Sequence, residues 1–437
     1  MSFEDLIHRV VEPGLCTRCG ICAGICPAGV IRMGMDKYPV LKGDCVKCGF
    51  CVRSCPGAEV DFPFLSRQVF HRDYVPDNLQ GHVENLFVAH STDERIRTTG
   101  TSGGLVTALL VDLLKSKVID GAVVAGFDPD DPCTMKGILA TTTEEVIDAA
   151  QSKYCLTASM DALQTIRRKK GRYAVVGLPC QVQGLRKLMT VDPSLAKKIF
   201  CIFGLYCHCN MEPHVHLDVL RNCGIKQDDI SRFDFRGGGW PGGFHVVDRA
   251  GKGTALHSTL YTTILNVLFK IYGAPRCYLC VDALSEYADI SFGDFWAHDY
   301  SGELSRLERC TLVSQRTERG LEILQRAEEN GAITIYNLPA ERYSRRIINM
   351  VNGKKSRNLA RINRMKKKGQ QVPEYYFSAA VPGGKARRKE LMLRMSFLFR
   401  GEVARKLILR LLFSRAAKGF EQVNLYRKKL FCNYHGN

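Results

Sequence analysis

The chain has 437 residues, with 62 Lys and Arg against 44 Asp and Glu, a net charge of +18 and 45% hydrophobic residues. This composition is typical of a globular protein with room for two or three domains, and it excludes disordered, collagen-like and low-complexity classes. No apolar run approaches the ~18 residues of a membrane span, and no signal-peptide core follows the first methionine. The 19 cysteines cannot all pair, and they indicate a reducing, cytoplasmic setting with thiols available for metal.

The strongest pattern is a cysteine repeat within residues 1–62, which we interpret as a ferredoxin-like module with two [4Fe–4S] clusters. Residues 16–27 and 45–56 each contain four cysteines, separated by two, two and three residues and followed by proline. In such a repeat the first three thiolates bind one cluster and the fourth binds the other. The spacing assigns one cluster to Cys16, Cys19, Cys22 and Cys55, and the second to Cys45, Cys48, Cys51 and Cys26. Two zinc knuckles are the alternative, since paired C-x-x-C motifs also suit zinc.

Residues 85–365 alternate apolar strand-like runs with helix-like segments, which predicts an α/β domain. Near its start, a glycine-rich loop at residues 98–104 leads directly into an apolar-periodic helix. Free N–H groups at such a helix start suit a phosphate or pyrophosphate. An ordinary capped helix is the alternative.

Two predicted strands of this domain run directly into cysteines, one into Cys180 and the other into Cys207. Because the carboxyl ends of parallel strands lie at one edge of a sheet, these two thiols can converge there. Cys277 and Cys280 form a C-x-x-C motif further on, and the four thiolates suffice for a third [4Fe–4S] cluster. Four unconnected buried cysteines, or a redox C-x-x-C acting alone, are the alternatives.

Five separated motifs together resemble the family of coenzyme F420 hydrogenase/dehydrogenase beta subunits, most closely its members with a fused N-terminal two-cluster ferredoxin module. The motifs are Thr101-Ser102-Gly103-Gly104, Ser152-Lys153-Tyr154, Val176-Gly177-Leu178-Pro179-Cys180-Gln181, Cys207-His208, and Cys277-x-x-Cys280 with Ala288-Asp289-Ile290-Ser291-Phe292-Gly293-Asp294. The resemblance implies an FAD-containing subunit that exchanges a hydride with F420. It also implies a third [4Fe–4S] cluster on Cys180, Cys207, Cys277 and Cys280. The sequence departs from the family pattern at Cys209, which is a rival ligand to Cys207.

The resemblance also implies roles for individual residues. The FAD phosphates are expected at the loop, and further cofactor contacts at the other motifs: Thr101, Ser102, Gly103, Gly104, Lys153, Gly177, Pro179, Gln181, Asp289, Gly293 and Asp294. The catalytic candidates are Lys153, as a positive charge near the flavin or a cofactor phosphate, and His208, which would orient or protonate. A surface lysine and a packed or solvent-facing histidine are the alternatives. The glycine-rich segment 236–243 would cover the deazaflavin, unless it is only a turn.

The charge is concentrated at the C-terminus. Residues 366–437 hold 17 Lys and Arg and four Asp and Glu, a net charge of +13, and interleave apolar with basic residues. We expect a basic amphipathic helical tail that contacts the cytoplasmic face of a membrane or an acidic partner. A helical hairpin packed on its own domain is the alternative. We expect no nucleic acid, because neither stacking aromatics nor a known module accompanies the charge.

The predicted protein is thus an α+β chain, with the two-cluster module at 1–62, an α/β flavin and iron–sulfur domain at 85–365 and the tail at 366–437. The predicted function is hydride exchange with coenzyme F420 through FAD, with single electrons passing through three [4Fe–4S] clusters to or from a redox partner or larger complex. The alternatives are a ferredoxin-fed FAD reductase of another organic substrate, and an electron-wiring subunit without a substrate site.

Overall fold

The computed structural model describes residues 1–128, 130–257, 261–297, 300–338, 343–378 and 383–414. The N-terminal segment consists of short elements joined by loops, and its two strands form an antiparallel pair. Its elements are α1 (Phe3–Leu6), a π-helical segment (Ile7–Val11), α2 (Ile21–Ile25), β1 (Ile31–Met33), β2 (Pro39–Leu41), α3 (Phe50–Arg53) and α4 (Phe62–Phe70).

The two cysteine repeats have matching backbone conformations. Arg18 and Lys47, at equivalent positions, both have φ of 54°. Gly20 and Gly49 then begin α2 and α3 with φ of 88° and 72°. Such positive φ values favour glycine, because any side chain there meets steric strain. The sequence repeat is therefore a structural repeat, as a ferredoxin-like module requires.

An eight-stranded sheet organises the rest of the chain. Its strands are β3 (Asn85–Ser91), β4 (Gly121–Asp128), β5 (Asp131–Ala140), β6 (Tyr173–Gly177), β7 (Ile199–Leu205), β11 (Ile290–Asp294), β12 (Thr311–Gln315) and β13 (Ile333–Leu338). They lie in the order β13-β3-β12-β11-β7-β6-β4-β5. The pairings make β3, β4, β6, β7 and β11 run in one direction, and β5, β12 and β13 in the other. The predicted α/β architecture is confirmed, and the carboxyl ends of five strands share one edge.

Helices cover both faces of this sheet. The helices of this part of the chain are α5 (Glu94–Thr99), α6 (Leu105–Lys115), α7 (Thr143–Asp148), α8 (Leu163–Arg167), α9 (Pro179–Val191), α10 (Pro193–Ala196), α11 (Val215–Asn222), α12 (Tyr261–Ile271) and α13 (Glu318–Glu329), with 3-10 turns at Ser159–Ala162, Gln227–Asp229, Pro275–Leu279 and Gly302–Arg306. Alternate residues of a strand point to opposite faces. Accordingly Val175 packs in one core with α9, and Ala174 packs in the other with α6.

A second sheet, which the sequence did not predict, is antiparallel. Its strands are β8 (Ile230–Gly237), β9 (Gly243–Asp248) and β10 (Gly253–His257), in the order β10-β9-β8. Phe233, Phe235 and Phe244 pack from this sheet into a core shared with α11 and α12. The glycine-rich segment 236–243 is thereby the turn that joins β8 to β9.

The N-terminal module packs directly on the large sheet. Ile21 and Val52 of the module share one hydrophobic core with Val175 and Leu185. The approach is close, since a Cβ atom at Gly24 would collide with the carbonyl oxygen of Met160. The cysteine repeats are therefore held at a fixed position against the α/β body.

The C-terminal region is helical, with α14 (Arg345–Lys367), α15 (Gly384–Ser396), a 3-10 turn (Phe397–Arg400) and α16 (Glu402–Leu412). Leu393 and Leu409 are buried against the body, and the Glu390 carboxylate lies 3.3 Å from the Arg361 guanidinium of α14. The part of the predicted tail at 415–437 lies outside the described residues. None of the helices in the described ranges is long and apolar enough to span a membrane.

Candidate functional site

Four thiols of the N-terminal module surround one cavity. Cys26, Cys45, Cys48 and Cys51 line a space with an empty volume of about 310 Å³. Burial raises the pKa of the Cys51 thiol to about 12, and the neighbouring thiolates of Cys48, Cys45 and Cys26 contribute to this rise. These are the four cysteines that the spacing assigned to one cluster.

The other four cysteines of the repeat also lie together. Burial raises the pKa of Cys16 to about 12, and the thiolate of Cys55 contributes to this effect. The pKa of Cys22 is raised well above its usual value by burial and by Cys16, Cys19 and Cys55. The structure thus groups the eight thiols as the sequence predicted, with the last cysteine of each repeat beside the first three of the other.

Backbone amides point at several of these sulfurs. The amide of Arg18 donates to Cys16 Sγ and that of Lys47 to Cys45 Sγ, both at 3.4 Å. The equivalence of these two bonds follows from the shared backbone conformation of the repeats. Hydrogen bonds to cluster sulfur stabilise negative charge there and are one determinant of reduction potential.

The space between the thiols suits a cluster rather than a single ion. Zinc draws four ligands to about 2.0–2.3 Å from one point. A four-iron cubane instead needs thiolates spread around its own volume, as around the 310 Å³ cavity.

A larger cavity lies where the module meets the carboxyl edge of the sheet. It has an empty volume of about 580 Å³. On the module side it is lined by Cys16 and Cys19. On the sheet side it is lined by the four cysteines predicted for a third cluster, which are Cys180, Cys207, Cys277 and Cys280. The structure therefore brings these four together and faces them towards the first cysteine group.

The thiols on the two sides are close enough to affect one another. The pKa of Cys180 is raised well above its usual value, chiefly by burial and then by Cys19. The thiolates of Cys280, Cys277 and Cys207 add to this shift. Since Cys19 belongs to the module and Cys180 lies in the first turn of α9, this interaction crosses the interface between the two parts of the chain.

Cys209 also lines the larger cavity, and its thiol donates to the Asn210 carbonyl at 3.4 Å. The proximity of the Cys209 and Cys277 thiols lowers the pKa of Cys277 and raises that of Cys209. Cys209 thus lies beside Cys277, one of the four cysteines predicted for the third cluster.

Buried cations surround this thiol group, and the sequence did not single them out. Lys354 of α14 is only 2% exposed and donates to the backbone carbonyls of Cys207 and Asp282, at 2.7 and 2.6 Å. Arg276 is 6% exposed and donates to the carbonyls of Leu15 and Gly57 in the module. Lys354 gave no signal because it lies in a lysine-rich helix. Arg276 directly precedes Cys277, which was its only signal.

Two further contacts fix the loops of the larger cavity. Asn358, one helical turn after Lys354, donates to the carbonyls of Cys277 and Cys280 at 3.3 and 2.6 Å. Arg18 binds both carboxylate oxygens of Glu212, at 2.7 and 2.8 Å, across the interface between module and body. The cavity walls are therefore held by α14 and by a two-point ion pair.

The predicted phosphate loop lies at the same edge of the sheet, between α5 and α6. Its groups already have protein partners: the Gly103 amide donates to Thr311 Oγ1 at 3.0 Å, and the Ser102 hydroxyl to the Cys310 carbonyl. The Thr101 and Ser152 hydroxyls are 3.0 Å apart, and Gly104 begins α6. These bonds anchor the loop to β12. A phosphate at Gly103 or Ser102 would exchange with them.

The two catalytic candidates are half-buried, and neither lines the larger cavity in the described ranges. The Lys153 ammonium donates to the carbonyls of Ala149, Ala150 and Gln151 at the end of α7. Burial lowers its pKa to about 7. Burial also lowers the pKa of His208 to about 3, and the charges of Arg357 and Lys354 contribute to this. Lys153 is thus not the surface lysine of the alternative interpretation.

Of the other predicted cofactor residues, Pro179 and Gln181 line the larger cavity. Gln181 accepts from the Leu178 amide at 2.8 Å and donates to Ser159 Oγ at 2.9 Å, which fixes the turn from β6 into α9. Gly177 ends β6 immediately before this turn.

Asp289 and Asp294 flank opposite ends of β11. Asp289 precedes the strand, pairs with Arg186 at 3.0 Å and accepts from the Ile202 amide at 2.7 Å, so its contacts hold the fold together. Asp294 ends the strand at the carboxyl edge and pairs with Arg236 at 2.6 Å. The structure brings Asp294, but not Asp289, to the edge where the cavity lies.

Aromatic rings adjoin Asp294. Trp240, in the turn between β8 and β9, lies against Trp296 with ring centroids 5.4 Å apart. The guanidinium of Arg236 lies 5.1 Å from the Trp240 ring, and that of Arg346 lies 5.3 Å from the Trp296 ring. Gly293 leaves room for the Tyr206 ring, with which a Cβ atom would collide. Half-buried tryptophans flanked by arginines offer a surface for a planar, anionic molecule.

Comparison with known proteins shows which protein families the chain matches. The N-terminal and C-terminal profiles of the coenzyme F420 hydrogenase/dehydrogenase beta subunit match residues 86–164 and 170–341, together more than half of the chain. A 4Fe-4S dicluster domain matches residues 15–59.

Several curated proteins are similar to this chain. Coenzyme F420 hydrogenase subunit beta of Methanococcus voltae is 28% identical over 59% of this chain and 86% of its own length. A subunit of the F(420)H(2) dehydrogenase of Methanosarcina mazei is 27% identical over 67% of this chain and 79% of its own length. Coenzyme F420-dependent sulfite reductase of Methanocaldococcus jannaschii is 27% identical over 72% of this chain, which spans 48% of that enzyme.

A solved structure shares the fold. A chain of the F420-reducing [NiFe] hydrogenase complex from Methanosarcina barkeri superimposes with a TM-score of 0.55 at 23% identity, over 70% of this chain and 100% of that chain. With the cavities and the thiol groups that the structure shows, the profile matches lead to one conclusion: the chain belongs to the family of coenzyme F420 hydrogenase/dehydrogenase beta subunits and carries a [4Fe–4S] dicluster module at its N-terminus.

Proposed function

We propose that the chain is an oxidoreductase subunit that exchanges a hydride with coenzyme F420 through FAD and passes single electrons through three [4Fe–4S] clusters to or from a redox partner. The observation that carries the proposal is the 580 Å³ cavity, which Cys16 and Cys19 line from one side and Cys180, Cys207 and Cys277 from the other. One continuous space thus adjoins the dicluster module and the edge of the sheet where a substrate would bind.

The clusters and FAD, when bound, supply the conversion between two-electron and one-electron chemistry. The chain's own residues stabilise negative charge on the buried thiol group. Lys354 and Arg276 lie against the loops of Cys207 and Cys277, and fixed positive charge nearby favours thiolates and the reduced, more negative state of a cluster. The charges are fixed in place by carbonyl partners, so they need no rearrangement when an electron arrives.

Support for the substrate site comes from the edge of the sheet beside Asp294. Trp240 and Trp296 present rings, and the exposed Arg346 presents positive charge next to them, while Arg236 is buried and paired with Asp294. A deazaflavin ring with an anionic tail matches this combination. The relatives named for F420 favour that ligand over other planar anions.

A second candidate function is a ferredoxin-fed reductase of another organic substrate. The observation in its favour is the similarity to 7-hydroxymethyl chlorophyll a reductase of Oryza sativa, 26% identical over 52% of this chain and 46% of that enzyme. Oxidation of F420 distinguishes the two candidates, because the second leaves F420 unchanged.

The first test is catalytic. The purified holoprotein is mixed anaerobically with reduced F420 and a one-electron dye, and the deazaflavin absorbance is followed. The proposal predicts oxidation of F420H2 with reduction of two dye molecules per hydride. Absence of any F420 oxidation, by a protein whose iron and flavin contents are complete, would favour the second candidate.

Trp240 gives a sharper test of the substrate surface. Trp240→Ala removes a stacking ring, worth about 1–3 kcal/mol by analogy with other aromatic stacking, and we expect about a tenfold weaker binding of F420. Trp240→Phe keeps a ring and should stay within about threefold of the native affinity. Because Trp240 and Trp296 are the only tryptophans of the chain, quenching of tryptophan fluorescence in the native protein measures the affinity directly. Equal affinity of all three proteins for F420, measured by equilibrium dialysis, would place the substrate elsewhere.

The third cluster has its own test in the pair Cys207 and Cys209. Cys207→Ser should lower the iron content from about twelve to about eight per chain, because one [4Fe–4S] cluster loses a ligand. Cys209→Ser removes the neighbouring thiol donor and should keep all twelve. Iron and sulfide analysis measures both. The reverse pattern would make Cys209 the ligand, and full iron in both variants would contradict a third cluster at this site.

We also propose that the C-terminal helices contact an anionic membrane surface. Leu398 and Val403 are 80% and 75% exposed, and Arg394, Arg405 and Lys406 lie on the same short segment. Apolar side chains within a basic rim suit the boundary of an anionic bilayer.

Replacing Leu398 and Val403 by Asp should abolish flotation with vesicles rich in phosphatidylglycerol, because it places charge in the apolar contact. Met35→Asp, at a position that is 96% exposed in the N-terminal module, is the matched control and should float like the native protein. Flotation that is equal for all three proteins, or equal with neutral vesicles, contradicts the membrane contact.

A further inference from the structure

The three thiol groups differ in their exposure, and the most exposed thiol belongs to the second group. Cys19 and Cys22 of the first group are buried, and the larger cavity lies between this group and Cys180. The second group contains Cys48, the only exposed cysteine in the part of the chain that the structure describes. Cys51 of the second group is near enough to Cys22 to contribute to its raised pKa. The second thiol group is thus the cluster site nearest to solvent, and the first group separates it from the thiols at the sheet edge.

The surface around Cys48 is apolar at its centre. Val46 is 62% exposed, and Met1 is 57% exposed. Met1 lies against Gly49, since a Cβ atom at that glycine would be 3.1 Å from the Met1 Cβ atom. Val46, Cys48 and Gly49 also line the cavity of the second thiol group. Two apolar side chains therefore stand in solvent directly over the wall of a cluster cavity.

Cations flank this apolar centre. Arg53 donates to the Cys48 carbonyl at 3.3 Å, and Lys47 is the exposed residue immediately before Cys48. Arg9 is exposed and reaches the Met1 sulfur at 3.7 Å. The acids near this centre are Asp44, which is exposed in the same loop, and Glu4 and Asp5, of which Asp5 pairs with the Met1 amine at 3.8 Å. We call Met1, Arg9, Val46, Lys47, Cys48 and Arg53 the Cys48 face.

We propose that the Cys48 face docks an acidic one-electron carrier protein, and that electrons enter or leave the chain there. Electron transfer between proteins falls steeply with distance, so a partner must approach the most exposed cluster. Small interfaces of this kind, under about 1,200 Å², are typical of transient redox encounters. Their charge complementarity sets mainly the rate of association, which salt then weakens.

The proposal names the partner of the proposed function but depends only on the dicluster module. An experiment without F420 therefore separates the two. The full-length holoprotein is reduced with dithionite, freed of excess reductant and mixed in a stopped-flow instrument with an oxidised acidic flavodoxin. One electron passes from a reduced cluster to the flavodoxin, so the cluster is oxidised and the flavodoxin is reduced. We expect the second-order rate constant to fall at least tenfold between low and high ionic strength.

Charge reversal at the face supplies the decisive comparison. Lys47→Glu with Arg53→Glu should slow the reaction with flavodoxin about tenfold at low salt, since electrostatic steering changes association rates by about 10–10³. The matched control, Lys385→Glu with Arg388→Glu on α15, makes the same change in net charge at two exposed positions far along the chain. It should keep the native rate within about twofold. Oxidation by a small neutral quinone should be unaffected in either variant.

Three results would overturn the proposal. The first is that both charge reversals slow the reaction with flavodoxin equally, and the second is that the rate constant does not depend on salt. The third is that the native protein reacts faster with basic cytochrome c than with flavodoxin at matched driving force. A change of oligomeric state in the Lys47 and Arg53 variant, seen by sedimentation, would assign the face to a second copy of the chain. If that variant loses iron, Lys47→Gln alone is used. We expect this single substitution to slow the reaction about twofold, and an unchanged rate would count against the proposal.

Discussion

The burial of many thiols around shared cavities is the constraint on which the rest of the structure depends. Desolvation is the main reason that the pKa values of Cys16 and Cys207 rise to about 12, and neighbouring thiols contribute to each rise. Without positive charge, thiolates grouped in this way would be protonated at neutral pH. Iron supplies that charge in a cluster, and the protein supplies the remainder through Lys354, Arg276 and backbone amides.

This requirement explains why the N-terminal module packs on the α/β body and is not an independent domain joined to it by a linker. Its cysteine loops receive hydrogen bonds from the body: Lys187 donates to the Cys55 carbonyl at 2.7 Å, and Gln164 to the Cys26 carbonyl at 2.6 Å. The shared hydrophobic core then fixes the distance between the thiol groups. A rigid spacing is what electron passage between clusters needs, and it follows here from ordinary packing and cation–carbonyl contacts.

Much of this arrangement was accessible from the sequence, because it rests on local spacing or on strand direction. The repeat of four cysteines predicted that the fourth cysteine of each copy groups with the first three of the other copy. Strands ending at Cys180 and before Cys207 predicted convergence at a sheet edge, which the parallel register of β6 and β7 confirms.

The rest depends on contacts between distant parts of the chain, which a single sequence does not reveal. Lys354 lies among many lysines and is singled out only by its burial. The different roles of Asp289 and Asp294 follow from which end of β11 each one flanks. The second sheet was missed because its strands surround the glycine-rich segment 236–243, which was interpreted as a cover for the deazaflavin or as a turn. The FAD-binding role of residues 101–104 stays a prediction, since these groups are engaged with β12.

The central proposal is that one chain holds three four-iron clusters, the innermost bound by thiols from three distant segments. Anomalous diffraction at the iron absorption edge, from crystals grown anaerobically, tests it most directly. We expect three anomalous peaks, two within the cysteine repeats and one among Cys180, Cys207, Cys277 and Cys280, on the far side of the large cavity from Cys16. Two peaks only, with those four sulfurs free of iron, would contradict the claim.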